Sequence, residues 1–413
     1  MTGFHRENGE LFCDGVPLEA IADAAGTPVY VYSRAAIEES FRRFDAAFSP
    51  VPHLVCYATK ANSNLAILRV LSALGAGADV VSGGELRAAL ECGFSAERIV
   101  FSGVGKTEAE IRYALEAGIL AFNAESEREL EKISDQACRL GRVARVAVRV
   151  NPDIDPKSHP YISTGLKHNK FGVGIDRARA VYETGRSLRG IRMTGIQAHI
   201  GSQITDPRPL AETARELGLL ARELLAAGLP LETIDVGGGI GIASAAGPAL
   251  SPETYAATVL RELSGVPLRV LIEPGRAIVG PAGALLTRVL YRKRNGEREF
   301  VITDAAMNDL IRAPLYGAIH EIEPIRPRDA GRVVADVVGP VCETSDFFAR
   351  DLEMPHVEEG DLLAIRDTGA YGFAMASNYN FRPRAAEVLV EACGFRVVRR
   401  RETFEDLVRL ETE

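Results

Sequence analysis

The sequence predicts an α/β protein in two parts. The first is a (β/α)8 barrel of the TIM type over residues 35–276; the second is an all-β domain built from residues 277–413 together with the N-terminal strands of 1–34. Three observations predict this: a regular strand-then-helix rhythm, polar residues gathered at one end of nearly every strand, and a change of pattern after residue 276.

Apolar runs of strand length fall at 53–59, 77–82, 98–102, 119–123, 145–150, 193–200, 232–236 and 268–273. Helix-patterned stretches such as ELRAALECG and TEAEIRYALEAG lie between them, several ending in the glycine that commonly stops a helix. Thr107 with Glu110 makes a capping box. Eight such units in about 220 residues approach the roughly 250 of a (β/α)8 barrel. An open doubly wound sheet also alternates strand and helix but does not favour a count of eight.

Before the barrel, residues 1–34 read as short strands with turns at Asp14-Gly15 and Gly26-Thr27-Pro28, and Ala35 to Phe48 as a helix. After it, strand-like runs at 284–291, 299–303, 332–338, 361–366, 386–392 and 395–400 follow one another with little helical periodicity.

In a barrel, functional side chains sit at the C-terminal ends of strands. Those ends carry Lys60, Asp79, Ser102, Asn123 with Glu125, Arg149 with Asn151, His199 with Ser202, Gly237-Gly238-Gly239, and Glu273-Pro274-Gly275-Arg276. Lys60 closes the apolar run HLVCYAT, and Asn62 or Ser63 reads as the N-cap of the helix that follows. Taken alone, Lys60 is a lysine snorkelling to the surface and His199 a satisfied core histidine. Desolvation disfavours a lysine's charge, however, and a neutral lysine is a nucleophile toward an aldehyde. The glycine run lets backbone N–H groups approach a phosphate, and Glu273 can meet a ring nitrogen. Together they suggest pyridoxal 5'-phosphate bonded to Lys60. Gly103-Val104-Gly105-Lys106-Thr107 imitates a phosphate-binding loop, but Val100 stands where the first glycine is required, so it reads as a loop and helix cap.

Composition narrows the class. With 46% hydrophobic and 25% charged residues the chain is an ordinary globular protein, and a net charge of −8 gives no reason to expect nucleic acid. Six cysteines without CxxC or short Cys/His spacing argue against a metal site or disulfide framework. No run reaches the roughly 18 apolar residues of a membrane span, and the N-terminus lacks a signal-peptide core. The expectation is a soluble cytoplasmic protein.

The motifs YATKANSN, ADVVSGGEL, HPYISTGLKHNKFGV, HIGSQ, DVGGGIG, EPGR, MNDLIRAPLYGAIH, GPVCETSD and DTGAYGFAMASNYN, in that order, closely resemble the barrel-type pyridoxal-phosphate decarboxylases of the alanine-racemase fold. Within that family the likeness is to the branch that converts meso-2,6-diaminopimelate to L-lysine. The resemblance implies that Lys60 anchors the cofactor, His199 stacks on its ring and Glu273 meets the ring nitrogen. Asp79, Ser202, Gly237, Gly238, Gly239, Pro274, Gly275, Arg276 and Tyr371 would complete the cofactor site. Arg276, Arg312, Tyr316 and Tyr371 would bind the substrate with Glu343, which would take its far amino group, and Cys342 would reprotonate the decarboxylated carbon. It also implies a homodimer in which Cys342 and Glu343 come from the second subunit. A sister decarboxylase of ornithine, arginine or a carboxylated polyamine is the alternative, opposed by Arg312, Tyr316 and Glu343 together; a non-catalytic cofactor-binding homologue is opposed by the presence of Lys60 and Cys342. The departures from the family pattern, Thr59, Thr344 and the order Ala313-Pro314, touch none of these residues.

Overall fold

The structure, a computed structural model, describes residues 3–156, 164–165, 169–243, 247–392 and 394–412. Most of the motif at 159–173 and the cysteine at 393 lie outside the described residues.

Eight parallel strands form a barrel: His53–Ala58, Gly77–Val80, Ile99–Phe101, Ala121–Ala124, Ala144–Asn151, Ile191–Gln197, Thr233–Asp235 and Arg269–Ile272. The ring closes where Val270, Leu271 and Ile272 pair with His53, Leu54 and Val55. Alternation along the strands sorts their side chains. Leu54, Cys56, Val100, Leu120, Ala121 and Leu271 make a small separate apolar cluster, while Val55, Tyr57 and Ile272 join the main core beneath the helices.

Side-chain caps start the surrounding helices. Ser33, Ser82 and Ser126 accept from the N–H of Ala36, Glu85 and Glu129, and Thr107 and Glu110 form the expected capping box. After the first strand the cap is Asn64 rather than Asn62 or Ser63. The 3-10 turn Thr59–Ala61 moves the helix start downstream, and the Asn62 carboxamide accepts from the Asn64 N–H at 3.0 Å instead.

The eighth strand is followed only by a helical stub, Arg276–Val279, halted at Gly280-Pro281. The vacant place in the ring is taken by the helix Arg34–Phe48, which precedes the first strand. It packs on that strand and on the helix Pro252–Glu262, burying Ile37, Phe41, Phe44 and Phe48, with the Phe48 and Tyr255 rings 5.4 Å apart.

Beyond the stub the long strand Gly283–Asn295 carries the chain into a second, mixed sheet. Its first half lies between Val29–Ser33 and Leu362–Ile365; its second half pairs with Arg298–Thr303. Val29–Ser33 also pairs in parallel with Ala386–Glu391, so this N-terminal strand is central and fully buried. The other N-terminal strands, Phe4–Glu7, Glu10–Cys13 and Val16–Pro17, do not enter this sheet. They form a three-stranded sheet of their own, closed by the turn at Asp14-Gly15, and share a core with Val29, Val31 and Val388.

Several elements escaped the pattern. Leu18–Ala25 is a helix in a region read as strands, Arg312–Tyr316 and Phe404–Val408 are short helices in a region read as all-β, and Phe347–Pro355 is an additional strand. The last is a sheet edge interrupted by Arg350, Asp351 and Glu353, so no clean apolar alternation marks it.

Candidate active site

At the C-terminal end of the barrel the apolar filling gives way to a polar layer. Asp79, Asn123, Gln197, Asp235 and Glu273 are all nearly inaccessible. Glu273 is only 4% exposed; it accepts from the Gln197 amide at 3.2 and 3.4 Å and from the Asn123 amide at 3.4 Å. Burial, with Asp235 and Asp79 nearby, pushes its carboxyl well above the usual carboxylate range. Asp235 is pushed up to about 7 by burial, partly offset by the Gly237 N–H, which it accepts at 2.9 Å. The two carboxyls touch, and Asp235 Oδ2 has no donor from any other group.

Lys60 rises from the turn after the first strand, its side chain a third exposed, and donates to Asp79 Oδ2 at 2.7 Å. Burial works against the Lys60 ammonium, but Asp79, with Tyr371 and Glu273, outweighs it and holds the amine above its ordinary pKa. The neutral lysine expected from desolvation alone is therefore, in this structure, an ion-paired cation. The carboxylate that reverses the expectation comes from the neighbouring strand.

His199 follows the sixth strand, and its Nδ1 accepts from the Gly238 N–H at 3.2 Å, which puts the hydrogen on Nε2. Burial, then Lys60 and Arg149, hold the imidazole well below its usual pKa, so the ring is neutral. Its backbone carbonyl is fixed by Thr164 Oγ1 at 2.8 Å and Arg149 Nη2 at 3.4 Å, and Arg149 in turn is bonded to buried Glu125 at 2.8 Å.

The glycine run has a packing reason beyond its openness to an anion. A Cβ on Gly238 would sit 2.0 Å from the Glu273 carbonyl oxygen, and one on Gly239, at φ +95°, 2.1 Å from that of Gly201. Gly275 is less confined, its added Cβ 2.9 Å from the Ala61 Cβ, while the Pro274 carbonyl accepts from the Ala58 N–H. Here backbone is pressed on backbone, which draws the ends of the sixth, seventh and eighth strands together.

Two arginines face this mouth without acidic partners among the described residues. Arg276, 7% exposed, donates to Ser202 Oγ at 3.0 Å and lies 4.7 Å over the Tyr371 ring, leaving Nε and Nη1 without a partner. Arg312, 8% exposed at the start of the short helix Arg312–Tyr316, leaves Nε without one. Burial, with the Arg276 charge, pushes Arg312 down to about 10; Tyr316 and Tyr371 act on both guanidiniums in the other sense. Tyr371 arrives on a loop tied to the Lys60 turn by its N–H to the Ala61 carbonyl at 2.8 Å. Buried guanidinium N–H groups lacking acceptors are costly, and a bound anion relieves that cost.

Cys342 and Glu343 stand apart. Both are exposed; the Cys342 N–H donates to Asn380 and Glu343 accepts from the Tyr379 hydroxyl at 2.5 Å. Among the described residues, no hydrogen bond or ion pair joins either to the barrel mouth. The loop that imitates a phosphate site is structural: Lys106 spends its three protons on the carbonyls of Gly103 and Asn123 and on Glu129.

Residues 34–280 match the family model described as "Pyridoxal-dependent decarboxylase, pyridoxal binding domain". A diaminopimelate decarboxylase of Neisseria meningitidis serogroup A is 49% identical over 395 residues, covering 96% of this chain and 97% of that one. The chain belongs to the diaminopimelate decarboxylase family. The structure of the Helicobacter pylori family member complexed with L-lysine superposes with a TM-score of 0.93 at 45% identity, over 95% of this chain and 99% of that one. A lysine/ornithine decarboxylase of Vibrio vulnificus complexed with cadaverine is more distant: TM-score 0.80, 25% identity, 91% and 95% coverage. The family's cofactor is pyridoxal phosphate, and this site fits it: an amine at the mouth, a buried proton-holding carboxyl below, a neutral imidazole beside, and unpartnered Arg276 N–H groups.

Sequence reading had missed Gln197 and Asp235 as site residues, although the signal was present for both. Each lies two positions before a strand-end residue already singled out, His199 or Gly237, and hence on the same inward face.

Proposed function

We propose that this protein decarboxylates meso-2,6-diaminopimelate to L-lysine and carbon dioxide, with pyridoxal 5'-phosphate bound at the barrel mouth. The cofactor supplies an electron sink for the pair left when the carboxylate departs. Lys60 would bond its aldehyde, and Asp79, 2.7 Å from the amine, would hold that amine at the mouth until the cofactor arrives. His199 presents a flat, neutral ring face. Glu273 holds a proton at the ring nitrogen. Ser202, Gly237, Gly238, Gly239, Pro274, Gly275 and Tyr371 shape the remaining cofactor contacts.

Arg312, Arg276 and Tyr316 bind the carboxylate at the substrate's far end, with Tyr371 beside them. The observation that carries this assignment is the pair of buried guanidiniums with N–H groups lacking acceptors. Ornithine and arginine have no carboxylate to place there. Glu343 binds the distal ammonium, and the Cys342 thiol returns a proton to the decarboxylated carbon, then recovers one from water. Their exposure and separation from the mouth support a homodimer in which each copy completes the other's site. Five free cysteines among the described residues, two of them exposed, support a reducing cytoplasm.

Carbon dioxide release is measured from meso-diaminopimelate beside ornithine, arginine and lysine. Selective release from the first is expected, and equal turnover of ornithine refutes the reading. The visible absorbance of the lysine-bound cofactor should vanish in Lys60→Ala. Mixing inactive Lys60→Ala with inactive Cys342→Ala should restore about a quarter of wild-type activity if subunits exchange into two-fold dimers with shared sites. Exchange shown by mixed-tag pulldown without recovered activity refutes the sharing.

A further inference from the structure

His320 takes no part in the functions above, yet it is placed as deliberately as any residue that does. It follows the helix Arg312–Tyr316, is 5% exposed, and makes two hydrogen bonds of opposite sense. Nδ1 lies 2.8 Å from the Arg366 carbonyl oxygen, which can only accept, so Nδ1 carries the hydrogen. Nε2 lies 3.1 Å from Arg312 Nη1, which can only donate, so Nε2 is a lone pair. Both partners demand the same neutral tautomer. Protonation would set an N–H against the guanidinium, and burial with the Arg312 charge pushes the imidazole down to about 4.

The far anchor is rigid. Arg366 directly follows the strand Leu362–Ile365, and its N–H is held by the Glu321 carbonyl at 2.8 Å. Among the described residues, no carboxylate pairs with Arg312, so an imidazole holds this buried cation from one side without neutralising it. A carboxylate in the same place would fix the guanidinium equally well but cancel the charge an incoming anion needs.

We infer that His320 is a positioning residue for substrate specificity: its Nε2 lone pair fixes the Arg312 guanidinium while leaving its charge and remaining N–H groups for the carboxylate at the substrate's far end. This rests on the assignment of Arg312 in the proposed function. The rival role is simple tethering of the 317–321 loop to the strand end through Nδ1.

Two substitutions separate these roles. In Gln the amide oxygen falls near the position of Nε2 and keeps an acceptor for Arg312; in Asn the amide nitrogen falls near Nδ1 and keeps only the donor to Arg366. Binding is read by calorimetric titration of the cofactor-loaded protein with L-lysine and with cadaverine, which lacks only the carboxylate. His320→Asn should bind L-lysine about tenfold more weakly, the size expected for one hydrogen bond to a charged group. His320→Gln should stay within about twofold of wild type, and cadaverine affinity should hold in both, on the same scale.

Three results overturn the role: wild-type L-lysine affinity in His320→Asn, a loss in His320→Gln as large as in His320→Asn, or equal losses for the two ligands. Arg312→Met tests the underlying assignment separately. If it leaves the preference for L-lysine over cadaverine intact, Arg312 does not bind the carboxylate and both assignments fall together. If it abolishes that preference, only the His320 variants decide.

Discussion

Asp235→Asn should make the cofactor-free protein more stable in neutral and alkaline solution, although it replaces a buried residue of the site. Asn keeps an oxygen for the Gly237 N–H, so the turn into the glycine run survives. What it removes is a charge that burial, and then Asp79, disfavour, partly offset by the Gly237 N–H, the hydrogen bond with Glu273 and the Lys60 charge. The sign follows from linkage. A carboxyl whose pKa is raised on folding contributes stability below its unfolded value and loses it as pH climbs through the folded one. For Asp235 that window runs from the ordinary 3.8 up to about 7. At about 1.4 kcal/mol per pH unit, the penalty that Asn avoids reaches at most about 4 kcal/mol. Melting midpoints of variant and parent, both freed of cofactor, are compared from pH 5 to pH 8. The variant's advantage should widen with pH until about pH 7 and then level off. A difference that is flat across the range, or that favours the parent at pH 8, would refute the account of Asp235 as a buried carboxyl whose charge is disfavoured on folding.

The other predictions concern the frame. Gly238→Ala should cost about 3 kcal/mol or more in stability and abolish cofactor binding, because the added Cβ meets the Glu273 carbonyl rather than a yielding side chain; melting and equilibrium dialysis check this. Arg149→Met should cost about 3 kcal/mol by leaving the buried Glu125 carboxylate with its two backbone donors, the Gly103 and Gly172 N–H groups, but without its cation, read as a lower denaturant midpoint. Lys106→Met should destabilise by a similar mechanism and leave cofactor affinity unchanged, since its ammonium serves Glu129 and two carbonyls. A tenfold loss of cofactor affinity there would reinstate the phosphate-loop reading.

The barrel was legible because its strands are short, largely apolar runs and most of its helices carry their own start signal, as with Thr107 and Glu110. Those are local signals. The position of Val29–Ser33 at the centre of the second sheet was not legible, because it depends on pairing with residues 283–286 and 386–390. The charge state of Lys60 failed for the same reason: desolvation is visible in HLVCYAT, whereas Asp79 opposes it from the next strand. His320 stood in a motif already quoted, but nothing in the one-dimensional pattern says that one ring nitrogen meets Arg312 and the other Arg366. Cys342 is exposed, although a lone cysteine is most often a small buried hydrophobe, and nothing in its local sequence marks that difference.

The central place of Val29–Ser33 has a consequence for how the protein is made. The strand leaves the ribosome about 350 residues before one of its neighbours, Ala386–Glu391. At about 5–20 residues per second, it waits from roughly 20 seconds to a minute or more without that neighbour. Throughout that interval VYVYS is an uncovered, aggregation-prone edge in the nascent chain. Premature termination anywhere before residue 386 therefore leaves this buried strand without the partner that covers one of its edges.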